Sequence, residues 1–158
     1  MAITTKTNRR GWEPLGEASF GFLLVHSAHG WVRCLEQALR PMALTHLQFS
    51  LMAATALLHQ QGEIPHQGRL ADFTGFDRMM VSKSMQLLLG KTLLKRSKHP
   101  TIARAYHIDL TAKGRSTLDA ARPLYDAAIA QYFGSIDKKR LVSMGNVLRD
   151  LLERHDAG

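Results

Sequence analysis

The sequence predicts a mainly α-helical domain carrying one small β-hairpin, and three observations predict it. Apolar residues recur at helical spacing over most of the chain. The period changes once, past the middle, where two short segments flank a tip containing His99-Pro100. Capping residues stand at the joints, with Thr45, Asp77, Thr111 and Asp137 each preceding a helical pattern. At 158 residues there is room for one domain, residues 1–158, and too little for two independent cores. A hydrophobic share of 45% excludes a disordered chain. The longest apolar stretches are only a few residues, so neither a membrane span nor a membrane partner is expected. Met1–Arg10 is polar and basic with no apolar stretch behind it, so no secretory leader is expected. The single cysteine, Cys34, cannot form an internal disulfide and suits a reducing, cytoplasmic setting.

Each element follows from local chemistry. Leu15 to Leu39 reads as a helix with an apolar stripe through Phe20, Leu23, Leu24, Trp31, Leu35 and Leu39, and Pro41 ends it. Thr45 and Gln48 have capping-box spacing and open a second helix that runs to Gly62. A short helix from His66 to Phe73 is followed by Thr74-Gly75-Phe76 and by another helix opening at Asp77. Asp77 is a good N-cap, and Phe76 before it is placed to staple onto Val81. Two short helices joined by a tight turn containing glycine form the helix-turn-helix pattern. Leu93 to Lys98 and Ala105 to Leu110 read as a β-hairpin with a longer tip. Thr111 caps a long helix from Ala112 to about Phe133, in which Pro123 predicts a kink; Gly134 breaks it and Asp137 caps a final amphipathic helix.

Charge is unevenly placed along these elements. From His66 to Arg115 there are ten Lys/Arg against three acids, so this third holds seven of the chain's eight net positive charges. A solvated surface does not need that asymmetry, whereas a module that binds a polyanion does. The helix from Asp77 has an inner apolar face, Val81, Ser84, Met85 and Leu88, and outer faces bearing Arg78, Met79, Ser82, Lys83 and Gln86. Those types suit a DNA major groove, where Arg pairs bidentately with guanine and Gln with adenine.

The order of elements and four motifs resemble the MarR family of bacterial winged-helix regulators over nearly the whole chain. The motifs are Leu44-Thr45-His46-Leu47-Gln48-Phe49; Arg69-Leu70-Ala71 with Gly75-Phe76-Asp77; Val81-Ser82-Lys83 with Leu88, Lys91, Leu93, Leu94 and Arg96; and Arg104-Ala105 through Leu110-Thr111-Ala112-Lys113-Gly114-Arg115. The resemblance implies a winged helix-turn-helix lobe at residues 45–111 and a helical dimerisation region from both termini, residues 15–40 and 112–156. It implies a cytoplasmic bacterial homodimer, nucleoid-associated when bound to DNA, that regulates transcription from double-stranded DNA, by default as a repressor. A two-fold dimer predicts a pseudo-palindromic operator. Two positions depart from the family pattern. Ile102 stands where an Asp often precedes the wing arginine, and Thr92 where a Gly turns helix into wing, so Thr92 must avoid positive φ or carry strain.

The expected DNA-binding residues are therefore Arg78, Met79, Ser82, Lys83 and Gln86 in the major groove and Arg104 in the minor groove. Lys98 and His99 are expected on nearby phosphates, with Lys91, Lys95, Arg96 and Lys113 as further backbone anchors. Arg69 is equally able to pair with Asp72 inside the domain, and Leu87 and Leu89 are expected in the core or an interface. His26, His29, Trp31 and Arg33 are candidates for lining a pocket for a small aromatic or anionic effector. No metal is expected: only His26 and His29 share helical ligand spacing, with no Cys, Asp or Glu beside them in that stretch. No cofactor and no enzymatic activity are expected, since no phosphate-cradling loop, zincin motif or nucleophile elbow occurs. The alternatives are a winged-helix module that binds protein, and a redox-sensing regulator acting through Cys34.

Overall fold

The computed structural model describes residues 17–156. The basic stretch Met1–Arg10 and the expected helix start at Leu15 lie outside the described residues. Within them the order is α1 (Glu17–Leu39), a 3-10 turn (Arg40–Met42), α2 (His46–Gln60), α3 (Gln67–Thr74), α4 (Arg78–Gly90), β1 (Leu94–Lys98), β2 (Tyr106–Leu110), α5 (Ala112–Phe133) and α6 (Lys138–Asp156). This is the mainly α chain with one hairpin that the periodicity predicts.

The caps form as the residue types require. The Thr45 hydroxyl accepts from the Gln48 amide while the Gln48 side chain accepts from the Thr45 amide, completing a capping box. One Asp77 carboxylate oxygen accepts from the amides of Met79 and Met80, and the Thr111 side chain accepts from Gly114. His66 caps α3 through its ring nitrogen, which accepts from the Arg69 amide. Phe76 packs against the core that includes Val81 and meets the His46 ring edge-on. Helix α5 continues through Pro123 without interruption.

Leu51, Met52 and Leu58 of α2, Leu70 of α3, Val81 and Leu88 of α4 and Leu35 and Leu39 of α1 form a fully buried centre. Ile108 and Leu110 seal it from the hairpin, and Ala121 and Ala128 of α5 from the far side. Burying each such leucine contributes about 1.5–3 kcal/mol. Of the two leucines expected in the core or an interface, Leu89 packs against the core and Leu87 is 56% exposed on α4.

The strands are antiparallel, with Leu94 opposite Leu110 and Lys98 opposite Tyr106. Each begins one residue later than its pattern predicts, because Leu93 donates its amide to Leu88 to close the last turn of α4, and Ala105 donates to Ile102 within the tip. The hairpin docks on the loop between α2 and α3, where the Ile108 amide donates to the Pro65 carbonyl. Gly114, in the first turn of α5, sits against the Leu93 carbonyl, and a Cβ there would collide with that oxygen.

The outer helices differ from the lobe. No described side chain of α6 is buried, and Val142, Val147, Leu151 and Leu152 are all at least half exposed. Phe20, Leu23 and Val25 on the early turns of α1 are likewise exposed. No single described helix is long and apolar enough to cross a membrane.

Candidate nucleic-acid interface

The turn between α3 and α4 sets up the surface. Gly75 ends α3 at φ 70°, a left-handed conformation that glycine adopts without a Cβ penalty. The chain then reverses and Asp77 starts α4 with its N-terminus outward. Val81, Ser84, Met85 and Leu88 face the core, which leaves Met79, Lys83 and Gln86 exposed and Ser82 half-buried. Lys83 and Lys98 form no ion pair among the described residues.

Beside α4 the hairpin closes a cleft of about 340 Å³, lined by Ser82 and Gln86 of α4 and by Arg96, Arg104 and Tyr106 of the hairpin. Arg96 lies over the Tyr106 ring at 4.9 Å, a cation–π contact. Arg104 projects from the tip at φ 63° and is exposed. Sequence reasoning missed how the tip is held. The ring Nε2 of His99 lies 3.1 Å from the Ile64 carbonyl, and its Nδ1 accepts from the amides of Thr101 and Ile102. An imidazole thus orders the tip. His99, expected on a phosphate, has both ring nitrogens engaged within the protein.

Six other basic residues have partners within the chain. Lys91, one of the expected phosphate anchors, has its Nζ engaged: it donates to the Ala43 carbonyl at 2.7 Å and to Gln48 Oε1 at 3.2 Å. Lys113 donates to the Lys91 carbonyl at 2.9 Å. Lys95 pairs with Asp109 at 3.2 Å, and Arg115 approaches the same carboxylate. Burial pushes Asp109 up, but the Lys95 hydrogen bond and the charges of His59 and Lys95 outweigh it and hold the group below the usual carboxylate range. Arg78 pairs with Asp72 at 2.9 Å on an open surface, where such a pair contributes little and yields easily to a competing anion. Arg69 does not take Asp72: its guanidinium grips Glu63 at 2.7 and 2.8 Å, and that hydrogen bond lowers the Glu63 carboxyl below its ordinary value. Spacing within α3 favoured Asp72, and only the fold brings Glu63 back across the helix start.

Thr92 does adopt positive φ, 57°. Its amide donates to Leu89 and its hydroxyl to the Lys91 carbonyl, while its own carbonyl accepts from Thr111 Oγ1 at 2.7 Å. The strain is thus held by a ring of bonds around the end of α4.

The four candidate effector residues do not converge. With 3.6 residues per turn, His26, His29 and Arg33 share one side of α1 and Trp31 faces the opposite side. Trp31 packs into an aromatic cluster with Tyr125, Tyr132 and Phe133 of α5. Arg33 opens onto a separate shallow cleft of about 540 Å³ with Glu36, Arg40 and Thr45, while His26 stacks on Phe22. Cys34 is half-buried, with its thiol 3.8 Å from the Ala128 carbonyl. Among the described residues no group of three His, Cys, Asp or Glu is arranged to hold a metal ion.

A capped, outward-facing second helix beside a basic β-wing defines a winged helix-turn-helix protein. No family model matches the chain. It is 33% identical over 133 residues to an uncharacterized HTH-type transcriptional regulator, YdcH, of Bacillus subtilis (strain 168), across 84% of this chain and 89% of that one. Among solved structures it is similar to a MarR-family regulator from Rhodococcus sp. RHA1 (24% identity, TM-score 0.77, 88% and 96% of the two chains). It is also similar to CouR from Rhodococcus jostii RHA1 bound to p-coumaroyl-CoA (26%, TM-score 0.72, 84% and 90%). A third is MosR from M. tuberculosis in complex with DNA (27%, TM-score 0.68, 85% and 96%). The chain belongs to the helix-turn-helix transcriptional regulators, and its fold is that of the MarR family.

Proposed function

We propose that this regulator works in the cytoplasm as a homodimeric repressor on a pseudo-palindromic operator, and that a small aromatic or anionic effector releases it. The observation that carries the reading is the shared cleft: Ser82 and Gln86 of α4 and Arg96 and Arg104 of the wing line one surface of the lobe that holds most of the excess charge. In this reading Arg78, Met79, Ser82, Lys83 and Gln86 enter the major groove, and Arg104 enters the narrower minor groove. Lys98, and Arg96 and Lys95 beside it, meet phosphates, which fix register without reading sequence.

The dimer is supported by the uncovered apolar faces of α1 and α6, since contiguous patches of this kind mark interaction surfaces. Two copies related by a two-fold axis set their α4 helices about 34 Å apart, one turn of DNA. An effector acts by binding better to a dimer whose α4 helices are misspaced, because equal affinity for both states shifts nothing. Arg33 and Arg40, which share the shallow cleft, are the cations we assign to an anionic effector.

The test is fluorescence anisotropy on the DNA upstream of the protein's own gene at several salt concentrations. Tight binding that weakens steeply with salt is expected, with Lys83→Ala and Arg104→Ala each weakening it. Binding no better than to random DNA would count against the operator reading.

A further inference from the structure

The end of α4 is fastened to the corner between α1 and α2 by one side chain, Lys91, across more than forty residues of sequence. Its ammonium bridges the Ala43 carbonyl and Gln48 Oε1, and Gln48 is itself buried at 4% exposure. Ala43 sits at φ 51°, closing the 3-10 turn, so its carbonyl is held in a fixed direction. Gln48 Oε1 also accepts from the Thr45 amide in the capping box. From the other side Lys113 Nζ donates to the Lys91 carbonyl. The Lys113 ammonium therefore sits on a carbonyl at the negative end of the α4 dipole, where a cation stabilises a helix.

A helix buried along one stripe is fixed in height by its core residues but is less restrained against sliding and turning about its axis. In α4 that stripe ends at Leu88. Base readout tolerates little such motion, because a bidentate pair needs both hydrogen bonds in register. We infer that Lys91 is a positioning residue: through Gln48 and Ala43 it sets the axial placement of α4, and so governs DNA sequence preference without contacting DNA. The inference rests on the DNA-binding reading of α4.

The experiment uses the full-length protein and two duplexes, one selected by the wild type from a random pool and one scrambled. Affinities are measured for Lys91→Met, which keeps the stem and removes the charge, for Gln48→Met, and for the double variant, over a salt series, with Lys98→Met beside them. Gln48 is too deeply buried to touch DNA, so any effect of its substitution passes through the clamp. The expected result is a loss of about tenfold in the preference for the selected duplex in each single variant, the size of one misaligned bidentate pair. The double variant should lose no more than either single one, because both break the same link. The salt slope should stay at the wild-type value for Lys91→Met and fall by about one for Lys98→Met, as for a lost phosphate contact. A reduced slope for Lys91→Met, an unchanged preference, or additive losses would overturn the inference. If the wild type itself selects no duplex, the DNA-binding reading fails first, a result distinct from these.

Discussion

The lobe between residues 45 and 111 and the helix α6 treat their leucines in opposite ways. In the lobe Leu51, Leu58, Leu70 and Leu88 have no exposed surface, because α2, α3, α4 and the hairpin, backed by α1 and α5, enclose them. In α6 Leu151 and Leu152 are 50% and 65% exposed, although the helix has the same apolar periodicity. Amphipathic pattern alone therefore does not say whether a stripe closes a core within the chain or waits for a surface beyond it. The apolar stripes of the lobe are closed within the chain, and that of α6 is not.

The contrast can be broken from either side. Replacing Val147 and Leu151 together by Asp places charge on the open face of α6. We expect this to weaken self-association roughly a thousandfold, about 4 kcal/mol. Sedimentation would then report a monomer whose lobe remains folded. A dimer that survives would mean that the face is covered some other way. Leu51→Ala should act on the other region, removing about 3 kcal/mol from the lobe by leaving a cavity, as read from urea unfolding. Thr92→Gly sharpens the comparison by relieving the left-handed backbone at the lobe's edge. It should stabilise by about 1 kcal/mol, raising the melting temperature about 3 °C in a chain of this length.

The smallest effect expected is that of pH. Burial and the facing imidazole of His59, whose Nε2 is 3.3 Å from that of His107, hold His107 below its ordinary value, and burial does the same to His46. The unfolded chain therefore binds protons at a pH where the folded one does not. Stability is at its plateau above about pH 6.5, declines as pH falls below that value, and stops declining once the folded imidazoles are protonated. Melting curves between pH 7 and pH 5 should show this slope, and His107→Asn should flatten it. An equal slope in the variant would assign it elsewhere.

What could be read from the sequence and what could not divide along the range of the interactions. The capping box at Thr45, the Asp77 cap and the turn at Gly75 involve residues three or four apart, so residue types alone announce them. The outer face of α4 follows from the same periodicity that buries Val81 and Leu88. Lys91, His99 and Arg69 were less legible because their partners, Ala43, Ile64 and Glu63, come together only in the folded chain. A lysine at a helix end looks the same in sequence whether its ammonium meets a phosphate or a carbonyl. Trp31 parts from His26 and Arg33 for a different reason: angle around α1, not proximity along it, decides which side chains share a face.

Gly114 places a limit on how this protein can diverge. Its hydrogen faces the Leu93 carbonyl, which also accepts from the Thr111 amide, and no larger side chain fits between them. The neighbouring strand positions Lys95, Arg96, Ser97 and Lys98 are exposed and bear no part of the core. What the wing touches can therefore be rewritten by drift or selection, residue by residue, while the joint that returns the wing to α5 is closed to change. Saturation mutagenesis read out by folding should find Gly114 intolerant and positions 95–98 permissive.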